Sequence, residues 1–128
     1  MQQFVIVFVG GGVGALLRWK LGGWVLHHFP GVRFPLSTFS VNVLGCLVAG
    51  VLAGLILRND AFSPHARLFL FTGVLGGFTT FSAFGVDTFH LVRKHEHLVA
   101  LNYVVLSVVV SLASLWAGAV AVMKWARW

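Results

Sequence analysis

The chain has 128 residues, 59% of them hydrophobic and 9% charged, with a mean hydropathy of +0.93. A soluble domain carries about 25% charged residues, so composition selects the membrane class, and four spans of about 20 apolar residues leave no room for a separate catalytic or regulatory domain. The net charge of +6 and pI of about 10.9 do not point to nucleic acid, because the basic residues are split among loops and a terminus, where they read as membrane flanks and lipid-headgroup partners.

The first apolar block covers residues 4–29 and holds Gly10, Gly11, Gly12 and Gly14, then Arg18. Its start lacks the basic residues of a secretory signal and reads as a retained span. A turn with Pro30, Gly31, Arg33 and Pro35 leads to the second block, residues 36–57, which Arg58-Asn59-Asp60 ends. Thr38, Asn42, Gly45 and Ala49 share one face of it. Asn42 is an amide inside an apolar helix and needs a partner or water; its NH₂ can donate to an anion. The single cysteine, Cys46, cannot form an intrachain disulfide, and a buried, inert thiol is the default expectation there. Ser63-Pro64 reads as a helix start, with serine as cap and proline in the first turn. The third block then covers residues 64–92, Arg93-Lys94-His95-Glu96-His97 form a loop, and the fourth block covers residues 98–123. Trp125 and Trp128 suit an interfacial aromatic belt.

Chemistry concentrates in the third block, at Gly76-Gly77-Phe78-Thr79-Thr80-Phe81-Ser82-Ala83-Phe84. Glycine, threonine and serine are poor helix formers. Either the helix continues and the glycines merely pack, or it breaks at membrane depth. Broken backbone there must be buried in protein or line a wet cavity, and its half-helix ends offer carbonyls to a cation and N–H groups to an anion. In the fourth block Tyr103, Ser107, Ser111, Ser114 and Gly118 fall on one face at 100° per residue. That stripe reads either as a track solvating an ion or as glue to a neighbouring helix. Arg18 and Asp87 are charges well inside apolar blocks. Intramembrane ionisable residues are functional candidates, although Arg18 can snorkel and Asp87 can lie near an interface. His27-His28 and His95-Glu96-His97 sit at span ends without a third convergent metal ligand, and no catalytic set is legible, so the chain reads as a non-enzyme.

Four spans put both termini on one side. That side carries Arg58, Arg67, Lys124 and Arg127; the other carries Arg33, Arg93 and Lys94. Orientation follows a clear Lys/Arg bias, so this near tie, counted before Lys20 is placed on either side, predicts dual topology with head-to-tail pairing, the alternative being a loop boundary set wrongly. Small residues four apart (Gly10/Gly14, Gly50/Gly54, Gly73/Gly77, Ala117/Ala121) allow close helix approach.

Several segments resemble the Fluc (CrcB) fluoride channel family. They are the glycine run Gly10 to Ala15 continuing to Arg18-Trp19, the segment Ser37 to Cys46 with its Asn42 and Gly45, the Gly73 to Phe84 signature, and the fourth-block serine stripe. The resemblance covers nearly the whole chain. It implies an all-α membrane protein with the third helix broken at mid-membrane, assembled as an antiparallel, dual-topology homodimer with two pores. It further implies that backbone carbonyls of Gly76 and Thr79 hold a structural Na⁺ at the dimer axis. Phe81 and Phe84 would present electropositive ring edges to fluoride, and Asn42 would donate to the ion. Ser107, Ser111 and Tyr103 would form a hydroxyl track, with Thr80 and Ser82 also on the pore, and Arg18 would add positive potential at a vestibule. Asp87 stands where the family is expected to carry glutamate, a departure that shortens the side chain's reach.

The expectation is therefore passive fluoride export through a bacterial inner membrane. A small dual-topology multidrug exporter is the first rival, and it needs a carboxylate in the first span, where only Arg18 stands. A non-conducting assembly subunit, with the stripes as helix glue, is the second.

Overall fold

A computed structural model describes residues 1–125, and among the described residues the regular structure is all helical. Arg127 and Trp128, counted above in the charge tally and the aromatic belt, lie outside the described residues. Among the described residues four helices are long and apolar enough to cross a membrane: Gln2–His28, Leu36–Asn59, Pro64–Arg93 and His97–Trp125. Most ends run slightly past the apolar blocks, because polar residues such as Gln2, Gln3, Arg58 and Lys124 carry the backbone ladder toward the interface. Asp60 closes the second helix in the left-handed region (φ 48°), its amide donating to the Ile56 carbonyl at 2.9 Å. Ser63 caps the third span as the sequence predicts, with its hydroxyl accepting from the Ala66 amide at 3.2 Å and Pro64 in the first turn.

The second and fourth helices form the most extensive pair. Gly50 and Gly118 sit at their contact, where an added Cβ would land on the Leu115 and Leu47 carbonyls. The first helix packs on the opening half of the third span. Gly77 lies there against the Gly11 carbonyl, and Gly14 against the Val74 carbonyl, with no space for a side chain at either. The small-residue pairs thus hold two backbone-to-backbone interfaces.

The third span is irregular. Pro64–Arg67 is α-helical, Leu68–Leu75 is π-helical, and Gly76–Phe78 completes a last turn. Thr79 (φ −78°, ψ 155°) and Thr80 (φ −150°, ψ 118°) are then extended, and a new helix runs Phe81–Arg93. The break left open by composition is real and two residues long. The π-helix ahead of it is an addition to the sequence-based picture; such segments cluster at functional sites. Beyond the break the second half of the span crosses to the fourth helix, where Leu91, Ala100 and Tyr103 form a small buried cluster with Phe34, Phe39 and Phe84 packed on it.

Candidate functional site

The break is clasped from the second helix. Thr80 donates its N–H to Asn42 Oδ1 at 2.8 Å, and Asn42 Nδ2 donates back to the Thr80 carbonyl at 2.9 Å. The carboxamide thus replaces, for one residue, the helical partners that the break removes. Asn42 can reach because Gly45, one turn below, carries no side chain; a Cβ there would strike the Thr79 methyl. On the far side of the break the Thr80 hydroxyl accepts from the Ala83 amide at 3.1 Å and caps the new helix. Thr79 turns its hydroxyl back to the Leu75 carbonyl at 2.9 Å. In an unbroken helix the Thr80 amide would close onto the Gly76 carbonyl. Its engagement by Asn42 leaves that carbonyl without its helical donor.

Beside the clasp lies an open groove of about 330 Å³. Asn42 and Cys46 come from the second helix, Thr79, Thr80, Phe81 and Phe84 from the break, and Ser107, Val108, Ser111 and Leu112 from the fourth helix. Its wall is mostly apolar, with a few convergent polar groups. One Asn42 N–H is held by Thr80, and the second remains to donate into the groove. Ser107 is 8% exposed and its Oγ has no hydrogen-bond partner. An unpaired buried hydroxyl costs about 1–3 kcal/mol, and among the described residues this one makes no bond to a neighbouring helix. The stripe divides accordingly: Ser114 bonds its own helix at the Val110 carbonyl (2.8 Å), and Gly118 packs on the second helix.

Phe81 is 83% exposed on the single chain, while Phe84 is half-buried. Their ring centroids are 5.4 Å apart, and Phe84 continues to Tyr103 at 5.2 Å and from there to Phe34 at 5.3 Å. Tyr103 is fully buried and stands apart from the groove, donating its hydroxyl to Asp87 Oδ2 at 3.1 Å.

A second cavity, about 580 Å³, opens on the other side of the break. Arg18, Thr38, Thr80, Ser82 and Asp87 line it, and Ser82 Oγ lies 3.2 Å from Thr80 Oγ1. Arg18 and Asp87 share this cavity without forming an ion pair; among the described residues the ion pair is Arg67 with Asp60, at the loop between the second and third spans. Among the described residues Thr80 alone lines both cavities.

The structure therefore brings Asn42, Thr79, Thr80, Phe81, Phe84, Ser107 and Ser111 to one groove, and places Arg18 and Ser82 in the second cavity. Gly76 is exposed on the outer surface of the chain. Two features escaped the sequence. The Tyr103–Asp87 bond joins residues 16 apart on different helices, and no local pattern encodes it. Cys46, expected as a buried thiol, is half-buried and faces the groove; its spacing four residues after Asn42 was the available signal.

The family model described as CrcB-like protein, Camphor Resistance (CrcB), matches residues 5–119. A protein of Methylobacillus flagellatus named fluoride-specific ion channel FluC is 48% identical over 118 residues, covering 92% of each chain. One from Rhizobium leguminosarum with the same name is 48% identical over 124 residues, covering 97% of this chain and 98% of the relative. Another from Flavobacterium psychrophilum is 37% identical over 118 residues, covering 92% and 94%. With a family model spanning most of its length and relatives of this identity, the chain belongs to the CrcB family.

Proposed function

We propose that this chain is a passive fluoride channel of a bacterial inner membrane, exporting fluoride from the cytoplasm and so lowering its toxicity. The observation that carries the reading is the broken third span, clasped by Asn42 beside a groove that holds an unpaired buried hydroxyl. The relatives' shared name, fluoride-specific ion channel, supplies the ion. Inside-negative potential drives an anion outward with about 2.3 kcal/mol per charge per 100 mV. The difficult step is dehydration. Asn42, Ser107 and Ser111 offer neutral donors, and the edges of Phe81 and Phe84 offer a positive quadrupole; none is a fixed cation that would trap the ion. Arg18 would raise the anion's concentration at the vestibule.

The working unit is an antiparallel, dual-topology homodimer with two pores. Two observations support it: the near tie in flanking charge, and Phe81 at 83% exposure in the middle of an apolar span. A second copy laid on the Phe81 face would turn the groove into a closed pore.

A structural Na⁺ at the dimer axis fits the donor set. Near the break, carbonyls such as that of Gly76 lose their helical donors, and carbonyl oxygens suit a hard cation. Gly76 and Thr79 would supply them from both subunits. Bound there, the ion would neutralise converging carbonyl dipoles and fix the two breaks against each other.

The test is fluoride efflux from liposomes carrying the purified protein, driven by a potassium gradient with valinomycin. Rapid fluoride release with little chloride release is the expected result. No release, or equal release of both anions, would overturn the assignment.

A further inference from the structure

The histidines at the span ends have no part in the conduction scheme, and the fold gathers them. Connections 29–35 and 94–96 lie at the same end of the bundle, where Phe34 packs on Leu91, Ala100 and Tyr103. Five of the chain's six histidines stand there. His27 and His28 close the first helix, His90 is in the last turn of the third span, and His95 and His97 flank the start of the fourth helix. All five are exposed. The sixth, His65, lies at the opposite end. The second cavity leads to the histidine-rich end. A further cavity of about 290 Å³ shares Leu26, Ser37, Thr38 and Asp87 with it and continues past Phe29 and Val32 of the first loop. Phe29 and Val32 are themselves exposed. The fixed charges at this end are Arg33, Arg93 and Lys94 against Glu96, which keeps one carboxylate oxygen buried. Deeper in, Arg18 and Asp87 line the second cavity, and Tyr103 is bonded to Asp87. The second helix adds no charge before Arg58.

We infer that this end is a proton-dependent anion collector: in acid its five imidazoles become cationic and draw fluoride toward the second cavity, so that conduction rises as pH falls. This rests on the channel reading above and adds a control on ion entry to it. Histidine is the side chain whose charge ordinarily changes between pH 5 and 8, and five such charges exceed the small fixed excess of lysine and arginine at this end. The imidazoles coordinate nothing; they set a diffuse potential that concentrates the anion where it enters. Five unit charges acting through water across roughly 20 Å, with a Debye length of about 30 Å at 0.01 M salt, raise the local anion concentration about two- to threefold. Salt erases the effect, because the Debye length contracts to a few ångströms. In the antiparallel dimer each membrane face would carry one such end, so acid on either side would act.

The experiment records current from the full chain in planar bilayers of phosphatidylcholine, a lipid without net charge, in about 0.01 M sodium fluoride. Conductance should be about two- to threefold higher near pH 5.5 than near pH 7.5. Sodium gluconate, whose anion is too large for the pore, should abolish that rise when added to about 0.5 M. The combined variant His27→Gln, His28→Gln, His90→Gln, His95→Gln and His97→Gln should lose the rise. His27→Lys with the same change at the other four positions should conduct at the raised level at both pH values. His65→Gln, at the opposite end, should keep the rise. The salt and His65 arms decide the matter even where a fivefold variant does not fold. Equal conductance at both pH values overturns the inference and leaves the fluoride channel standing. So does a rise that survives high salt, one lost in His65→Gln, or one kept by the glutamine variant. Wild-type protein silent at both pH values would instead fell the channel reading, and this inference with it.

Discussion

Replacing Asn42 by alanine removes the clasp on the broken helix. Both hydrogen bonds to Thr80 disappear, so one N–H and one C=O at membrane depth lose their partners. Leaving a buried polar group unsatisfied costs about 1–3 kcal/mol in water-soluble proteins. Interhelical hydrogen bonds in membranes are weaker, averaging about 0.6 and reaching about 1.7 kcal/mol. Two bonds on that scale give a loss of about 1–3 kcal/mol, the upper end being softened because Asn42 borders the open groove and water can enter. SDS-titrated unfolding in mixed micelles measures the loss. Hydrogen exchange of a peptide covering residues 76–84 should accelerate in parallel, since the Thr80 amide becomes unprotected. Asn42→Asp separates the two bonds: it keeps the acceptor for the Thr80 amide and loses the donor to the Thr80 carbonyl, so protection should be partly retained. An Asn42→Ala protein with unchanged unfolding and unchanged exchange would refute the clasp, whatever its flux.

Ser107→Ala should leave stability unchanged or slightly raised, because the hydroxyl it removes has no partner, while fluoride efflux falls. Unchanged efflux would place Ser107 outside the path. Gly45→Ala drives a methyl into Thr79 and should destabilise the fold by roughly 1–3 kcal/mol, as overpacking does; an unshifted unfolding curve would show that the contact relaxes freely. Phe81→Ile and Phe84→Ile should each cut fluoride efflux sharply while elution on size-exclusion chromatography stays unchanged, and full efflux from either would remove the ring edges from the mechanism.

Much of this arrangement is legible in the chain because a bilayer admits few solutions. Apolar blocks of about 20 residues become spans, and the observed helices end close to the block limits. The Ser63 cap and the backbone contacts at Gly14 and Gly77 follow from local chemistry. The run Gly76 to Phe84 shows that something unusual happens in the third span, but propensity alone cannot choose between a packed helix and a break. That choice depends on Asn42, 38 positions earlier, supplying a partner to Thr80. The same limit hides the Tyr103–Asp87 bond, which needs the second half of the span to cross onto the fourth helix. The π-helical stretch Leu68–Leu75 is hidden for a different reason: an almost wholly apolar run has no polar face from which to read its period. The serine stripe is intermediate. Spacing puts the hydroxyls on one face, but only the packing separates Ser107, whose buried hydroxyl is unpaired, from Ser114, bonded to its own backbone.

The central claim is that anions, and fluoride above others, cross the membrane through this chain. Electrical recording from the purified protein in a planar bilayer, with a tenfold fluoride gradient and symmetrical chloride, addresses it directly. The account predicts a steady current that reverses at the fluoride equilibrium potential, about 59 mV for a single charge. A reversal near zero, a reversal that follows an imposed chloride or cation gradient, or a silent bilayer would contradict it.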